Sequence, residues 1–241
     1  MSDKSRTKRH EVARLLERQI LTGRFAPGSK LTELRLAAEL KVSQASLREA
    51  LQELEGLGLV VKYPNKGTFV INLDELDLAH IYQVRRELEP LACSLAAGQM
   101  SRQKLDALRL CLQQMRAAAA DRDHQSYLNA DFRFHSLIWE SQQNEYLVKL
   151  LKEICLPLFA NDLIRRHSNA FTDFSLAIRQ HERILRSLQT GDSHLVSKVV
   201  RRLMVRFLRQ DLSDLRRTRE MAETSRDLDE SVSLPTAVPF V

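Results

Sequence analysis

The chain has 241 residues, with 37 Lys+Arg against 31 Asp+Glu and only seven glycines and six prolines. At about 100–200 residues per domain this allows one large or two small domains. Scarce breakers and 6% aromatics exclude a many-stranded sandwich or barrel and favour long helices.

Five of the seven glycines (Gly23, Gly28, Gly56, Gly58, Gly67) fall before residue 70. Residues 1–73 carry 13 basic and 8 acidic side chains, net +5, which leaves net +1 for the rest of the total of +6. A small, turn-rich, basic head therefore precedes a long, nearly neutral body, and such a head is the electrostatic footprint of a polyanion partner. Cys93, Cys111 and Cys155 lie in apolar helical patterns with no CxxC spacing, which reads as buried thiols in a reducing compartment. No run of about 18 apolar residues occurs, and MSDKSRTKRH has no apolar stretch after it. The expectation is a cytoplasmic protein with no membrane partner.

Residues 1–9 read as a basic disordered arm, with Lys4, Arg6, Lys8 and Arg9 available for further phosphate contacts. Val12, Leu15, Leu16, Ile20 and Leu21 then recur at helical spacing up to Gly23. Arg24-Phe25-Ala26-Pro27-Gly28 is turn chemistry. A short helix follows from the N-cap Thr32 through Leu34, Leu36, Ala37 and Leu40, and a third starts at the N-cap Ser43, burying Leu47, Ala50, Leu51 and Leu54. Helix, short turn and helix make a helix-turn-helix. Two β-rich runs, 59–63 and 68–71, flank the turn Pro64-Asn65-Lys66-Gly67 and add a wing. Residues 10–73 thus form a winged helix-turn-helix.

From Asp74 the period is helical, with helices expected at 74–98, 102–120, 123–142, 144–166, 170–189 and 192–221, the first kinked or split by Pro90. Residues 74–222 form an all-α bundle, and residues 223–241 read as a disordered tail. Arg201, Arg202, Arg206 and Arg209 read as a solvated face, and Leu147, Leu150, Leu151, Ile154 and Leu158 as core.

On the third helix Gln44, Arg48 and Gln52 share the face opposite the apolar stripe. Arg pairs bidentately with guanine and Gln with adenine, so this face has the chemistry to read base edges. Arg35, Ser43 and Ser46 are placed to hold phosphates, and Lys62, Asn65, Lys66 and Gly67 of the wing to reach a neighbouring groove or backbone of double-stranded DNA. The bland alternative for Arg48 is a solvated residue or one paired with a Glu.

Leu21-Thr22-Gly23, Ala26-Pro27-Gly28-Ser29-Lys30-Leu31, Leu36-Ala37, Val42-Ser43-Gln44-Ala45-Ser46-Leu47-Arg48-Glu49-Ala50-Leu51, Leu54-Glu55, Gly58-Leu59 and Pro64-Asn65-Lys66-Gly67 together resemble the head of the GntR family of bacterial transcription regulators. One departure is Gln44, where the family commonly has Arg. The body, with Tyr82-Gln83-Val84-Arg85-Arg86-Glu87-Leu88-Glu89-Pro90-Leu91-Ala92, Asp131-Phe132-Arg133-Phe134-His135 and His181-Glu182-Arg183-Ile184-Leu185, resembles the FadR-type ligand-binding domain, or FCD domain, of that family. The resemblance implies an all-helical bundle with a central cavity, a homodimer, and control of operator binding, as a repressor, by a small effector that is usually an organic acid.

It further implies a divalent metal held by one Asp and three His. Asp131, His135 and His181 match three of these, and the fourth position, 22 residues after His181, is Leu203. Three readings follow: a three-ligand site for zinc, nickel or manganese completed by water or effector; direct effector contact by the same residues; and a structural polar network. Arg85 is the candidate to hold an effector carboxylate, against a local pair with Glu89. Two other functions stay in view. A metal-dependent hydrolase would need a general base and a nucleophile motif that the sequence does not display, and an unregulated architectural DNA binder would have a body with a solid apolar core.

Overall fold

The computed structural model describes residues 3–167 and 174–232 of the chain. The head contains α1 (Asp3–Leu21), β1 (Lys30–Leu31), α2 (Glu33–Glu39), α3 (Gln44–Gly56), β2 (Val60–Tyr63) and β3 (Gly67–Val70). Val12, Leu16 and Ile20 of α1, Leu36 and Ala37 of α2, and Leu47, Ala50, Leu51 and Leu54 of α3 interlock in one core. Each stripe follows the 3.6-residue period. Leu15 and Leu34 are exposed, because each lies off its helix's buried face.

The wing is an antiparallel sheet in the order β1-β3-β2, with Lys30 opposite Phe69 and Val61 also opposite Phe69. Sequence reading missed β1: two residues carry no periodicity, and only pairing with β3 makes them a strand. The reversal between β2 and β3 places Asn65 at φ 61° and Gly67 at φ 105°, left-handed conformations that suit these two residues.

The body holds α4 (Glu75–Ala97), α5 (Arg102–Ala120), α6 (His124–Trp139), α7 (Glu145–His167), α8 (Ser175–Leu188) and α9 (Ser193–Val232). Asp74 opens α4 with a capping box to Asp77, Ser101 caps α5 and Asp123 caps α6. Of the expected kink or break, the break does not occur: Pro90 sits inside a continuous α4. Burial of that helix against its neighbours offsets the one backbone hydrogen bond the proline removes. Leu147, Leu151 and Leu158 of α7 are buried as expected, whereas Leu150 is exposed.

Two boundaries differ from expectation. α1 already begins at Asp3, so residues 3–9 continue a helix where an arm was expected, and α9 runs on to Val232, through half of the expected tail. Residues 1–2, 168–173 and 233–241, which include the ends of the arm and tail and the expected start of the fifth body helix, lie outside the described residues. Cys93, Cys111 and Cys155 are free and buried. No helix among the described residues is long and apolar enough to cross a membrane.

Head and body meet along α7. Gly58, just after α3 at φ 73°, lies against the backbone of Leu156 and Pro157, and the backbone N–H of Leu73 donates to the buried Asn161 side chain at 2.9 Å.

Candidate functional site

Ser43 has extended backbone and its hydroxyl accepts from the N–H of Ser46 at 3.1 Å, which fixes the start of α3. Gln44, Arg48 and Gln52 then stand on its exposed face, with Arg35 exposed on α2. Lys62, Asn65 and Lys66 are exposed on the wing, and Ser46 and Gly67 are half-buried. Arg48 Nε donates to Glu33 on α2 at 2.7 Å. The pairing with a Glu, one of the two readings of Arg48, is the one the structure forms, and an exposed pair of this kind is worth about 0–1 kcal/mol. Of the arm's basic residues, Arg9 is turned back toward Glu53 of α3, at 3.6 Å. The side chains of Lys4, Arg6 and Lys8 lie outside the described residues.

In the body, a partly enclosed cavity of about 60 Å³ is lined by polar groups of α4, α6, α7, α8 and α9, among them Arg85, Asp131, Asp162, His181 and Asp211. That space is enough for only a few water molecules. Asp131 and His135 lie one turn apart on α6 and face His181 of α8. Asp131 Oδ1 is 2.9 Å from His181 Nε2 and 3.5 Å from His135 Nε2, and the two Nε2 atoms are 3.1 Å apart.

The outer nitrogens fix what these inner atoms are. His181 Nδ1 lies 2.7 Å from the carbonyl oxygen of Ala177, which can only accept, so that nitrogen bears the proton. His135 Nδ1 faces Glu89 Oε2 at 3.3 Å. In the neutral rings both Nε2 atoms then carry lone pairs, and with Asp131 Oδ1 they form a buried triangle of three acceptors. Such a triangle needs a shared positive charge, either a proton or a cation. Burial pulls the imidazole of His181 down, but the carboxylate of Asp131 outweighs it and the value is raised. Asp131 is lowered, with His181 overcoming the opposing effect of burial.

The donor set fits a metal. Ligand bonds of about 2.0–2.2 Å place neighbouring ligand atoms about 2.8–3.6 Å apart between octahedral and tetrahedral angles, and the three edges here are 2.9, 3.1 and 3.5 Å. Asp131, His135 and His181 would hold the ion. Leu203 is buried apolar core on α9 and brings no fourth ligand, while Phe207, one turn on, packs its ring 5.4 Å from that of His181.

Arg85 lines the cavity, yet its guanidinium is committed. Nε and Nη2 both reach Glu89 Oε1, at 2.7 and 2.5 Å, and both residues are buried. The local pair with Glu89, weighed against a free carboxylate clamp, is the one the fold forms. Burial raises the Glu89 carboxyl, but Arg85 and then His135 draw it down to about 2. The guanidinium also lies 4.7 Å over the ring of Tyr82, whose hydroxyl donates to Asp211 at 2.5 Å.

Tyr82, Phe207 and Asp211 were not singled out by sequence reasoning, and Glu89 only as a possible partner of Arg85. The spacing of Tyr82, Arg85 and Glu89 puts them on one face of α4, and that signal was available. Asp211 continues the buried face of Val196, Val200, Leu203 and Phe207 on α9, where a carboxylate interrupts an otherwise apolar stripe.

A winged helix-turn-helix carried by a helical body with a polar cavity defines a DNA-binding transcription regulator rather than an enzyme. Residues 8–70 match the family described as bacterial regulatory proteins, gntR family, and residues 80–206 match the FCD domain. The chain belongs to the GntR family of transcription regulators, with an FCD body.

Among curated relatives, the gluconate operon transcriptional repressor of Bacillus licheniformis is 26% identical over 85% of this chain and 82% of its own length. The Nta operon transcriptional regulator of Aminobacter aminovorans is 35% identical over 54% of this chain and 61% of its own. Among solved structures, McbR/YncC of E. coli has the same fold with a TM-score of 0.65 at 21% identity, over 87% of this chain and 99% of the other.

Proposed function

We propose that the protein is a homodimeric repressor that reads a DNA operator with α3 and the wing and releases it when a small carboxylate effector enters the body cavity. The observation that carries the effector half is the buried triangle of acceptors formed by Asp131, His135 and His181 inside that cavity. A zinc, nickel or manganese ion on these residues would supply a Lewis-acidic positive centre to which a carboxylate binds. Asp131 and the two imidazoles hold and orient that centre, and Arg85 completes the wall beside Glu89.

In the head, Gln44, Arg48 and Gln52 face the base edges, Arg35, Ser43 and Ser46 meet phosphates, and Asn65, Lys66 and Gly67 carry the wing to the neighbouring backbone. Val84, Leu91 and Leu95 form an exposed apolar stripe on α4, which suits burial against a second copy. Two heads would then address major grooves about one turn apart. Repression is favoured by the relatives named as repressors.

The test has two arms. Thermal unfolding with small carboxylates, each with and without zinc, nickel or manganese, should show stabilisation of about 2.7 kcal/mol at a hundredfold excess over Kd, and Asp131→Ala should abolish it. With an operator selected from random duplexes, Arg48→Ala should weaken binding by about 1–3 kcal/mol. Unchanged operator affinity in that variant removes Arg48 from the reading surface. A chain that no carboxylate stabilises, with or without metal, removes the effector assignment.

A further inference from the structure

We propose that Glu89 is a positioning residue for the cation site: it fixes the tautomer of His135 and directs that ring's Nε2 at Asp131 and His181, while Arg85 keeps Glu89 in place. The assignment rests on the cation reading above. It concerns a residue that touches neither the ion nor the effector.

Glu89 divides its two oxygens. Oε1 takes both nitrogens of Arg85. Oε2 is turned to the opposite side, at the ion-pair distance of 3.3 Å from His135 Nδ1, and no hydrogen bond among the described residues occupies it. A carboxylate serving only as the counter-ion of Arg85 could present both oxygens to the guanidinium fork, which is the stronger bidentate arrangement. Instead one oxygen is spent on the imidazole. His181 has its own outer partner, the Ala177 carbonyl, so each ring of the triangle has its Nδ1 fixed from outside and its Nε2 turned inward. Outer partners of this kind set ring orientation and raise the basicity of the ligating nitrogen.

The local charge count agrees. Asp131 and Glu89 contribute two negative charges and Arg85 one positive, so with neutral imidazoles the cluster carries −1. A divalent ion would offset the negative charge of this cluster, whose cavity wall also carries the carboxylates of Asp162 and Asp211. Without Glu89 the cluster with Arg85 would be neutral and would attract a cation less.

The test compares the full-length chain with Glu89→Gln, which removes the charge and keeps the shape, and with Arg85→Met/Glu89→Leu, which removes the pair without leaving a buried orphan charge. Zinc affinity is measured by competition with a chromophoric chelator, and the histidine tautomers of the metal-free chain by ¹⁵N NMR. The expected result is zinc affinity about 10–100-fold lower in both variants. His135 should hold a single Nδ1–H tautomer in the wild type and lose it in the double variant. Variants that keep the wild-type tautomer and bind zinc within about twofold overturn the assignment. A wild type that binds no zinc removes the cation reading alone. The hold of Glu89 on His135 then stands or falls on the tautomer.

Discussion

Gly58 packs directly onto the backbone of Leu156: a Cβ at this glycine would stand 2.6 Å from the Leu156 carbonyl carbon and 2.7 Å from the nitrogen of Pro157. No flexible side chain is there to give way. Gly58→Ala should therefore combine left-handed backbone strain with overpacking, about 2–4 kcal/mol in urea unfolding. Gly23→Ala is the control: its φ is 80° and nothing lies within 4 Å of its Cβ position, so only about 1–2 kcal/mol of strain should appear. Equal losses in the two variants would show that head and body are not docked through this contact.

The hydroxyl of Ser43 already serves the N–H of Ser46 in the free protein. Ser43→Ala should destabilise the head by about 1 kcal/mol through the lost cap. Circular dichroism melting reads this without any DNA, and a variant as stable as the wild type would leave Ser43 with no capping role.

Tyr82→Phe keeps the ring beneath Arg85 and deletes the hydrogen bond to Asp211 that ties α4 to α9. A bond to a charged, partly buried acceptor predicts a loss of about 1.5–3 kcal/mol. Chemical denaturation measures it, and a loss below 0.5 kcal/mol, on the order of surface substitutions, would refute the tie.

The pH dependence follows from His181, which is raised above its ordinary value against the effect of burial because Asp131 faces it. His135, Glu89 and Arg85 complete its charged surroundings. A raised folded-state value means that this contribution to stability is fully present below about pH 6.5 and is lost as pH rises through the folded value. The melting temperature of the metal-free chain should thus fall from about pH 6.5 upward, and Asp131→Asn should flatten that slope. Added zinc should act in the opposite sense, since ligation needs neutral imidazoles and its stabilisation grows with pH. A slope indifferent to Asp131 would contradict the pairing.

Much of this architecture was legible in the residues. Ser43 and the stripe Leu47, Ala50, Leu51 and Leu54 announced α3, and Asp74, Ser101 and Asp123 marked helix starts in the body, because caps and periodicity are local. Asp131, His135 and His181 were legible as a set only through their motifs, since 46 residues separate the two imidazoles. What stayed hidden depends on tertiary partners. Pro90 looked like a break because the packing around α4 cannot be read locally, and a seven-residue helix such as α2, where Leu34 is exposed and Leu36 and Ala37 are buried, offers too few positions to define its inner face. Arg85 could have faced either a ligand or Glu89, and the choice depended on whether Glu89 would be buried.

α4 presents Tyr82, Arg85 and Glu89 to the interior and Val84, Leu91 and Leu95 to the outside. A helix with its side chains is about 10–12 Å across, so a single rod is all that separates the body cavity from the outer stripe. Any roll of that rod about its own axis displaces both surfaces at once, in opposite senses. The body therefore needs no relay of residues to make the state of its chamber felt on its outside.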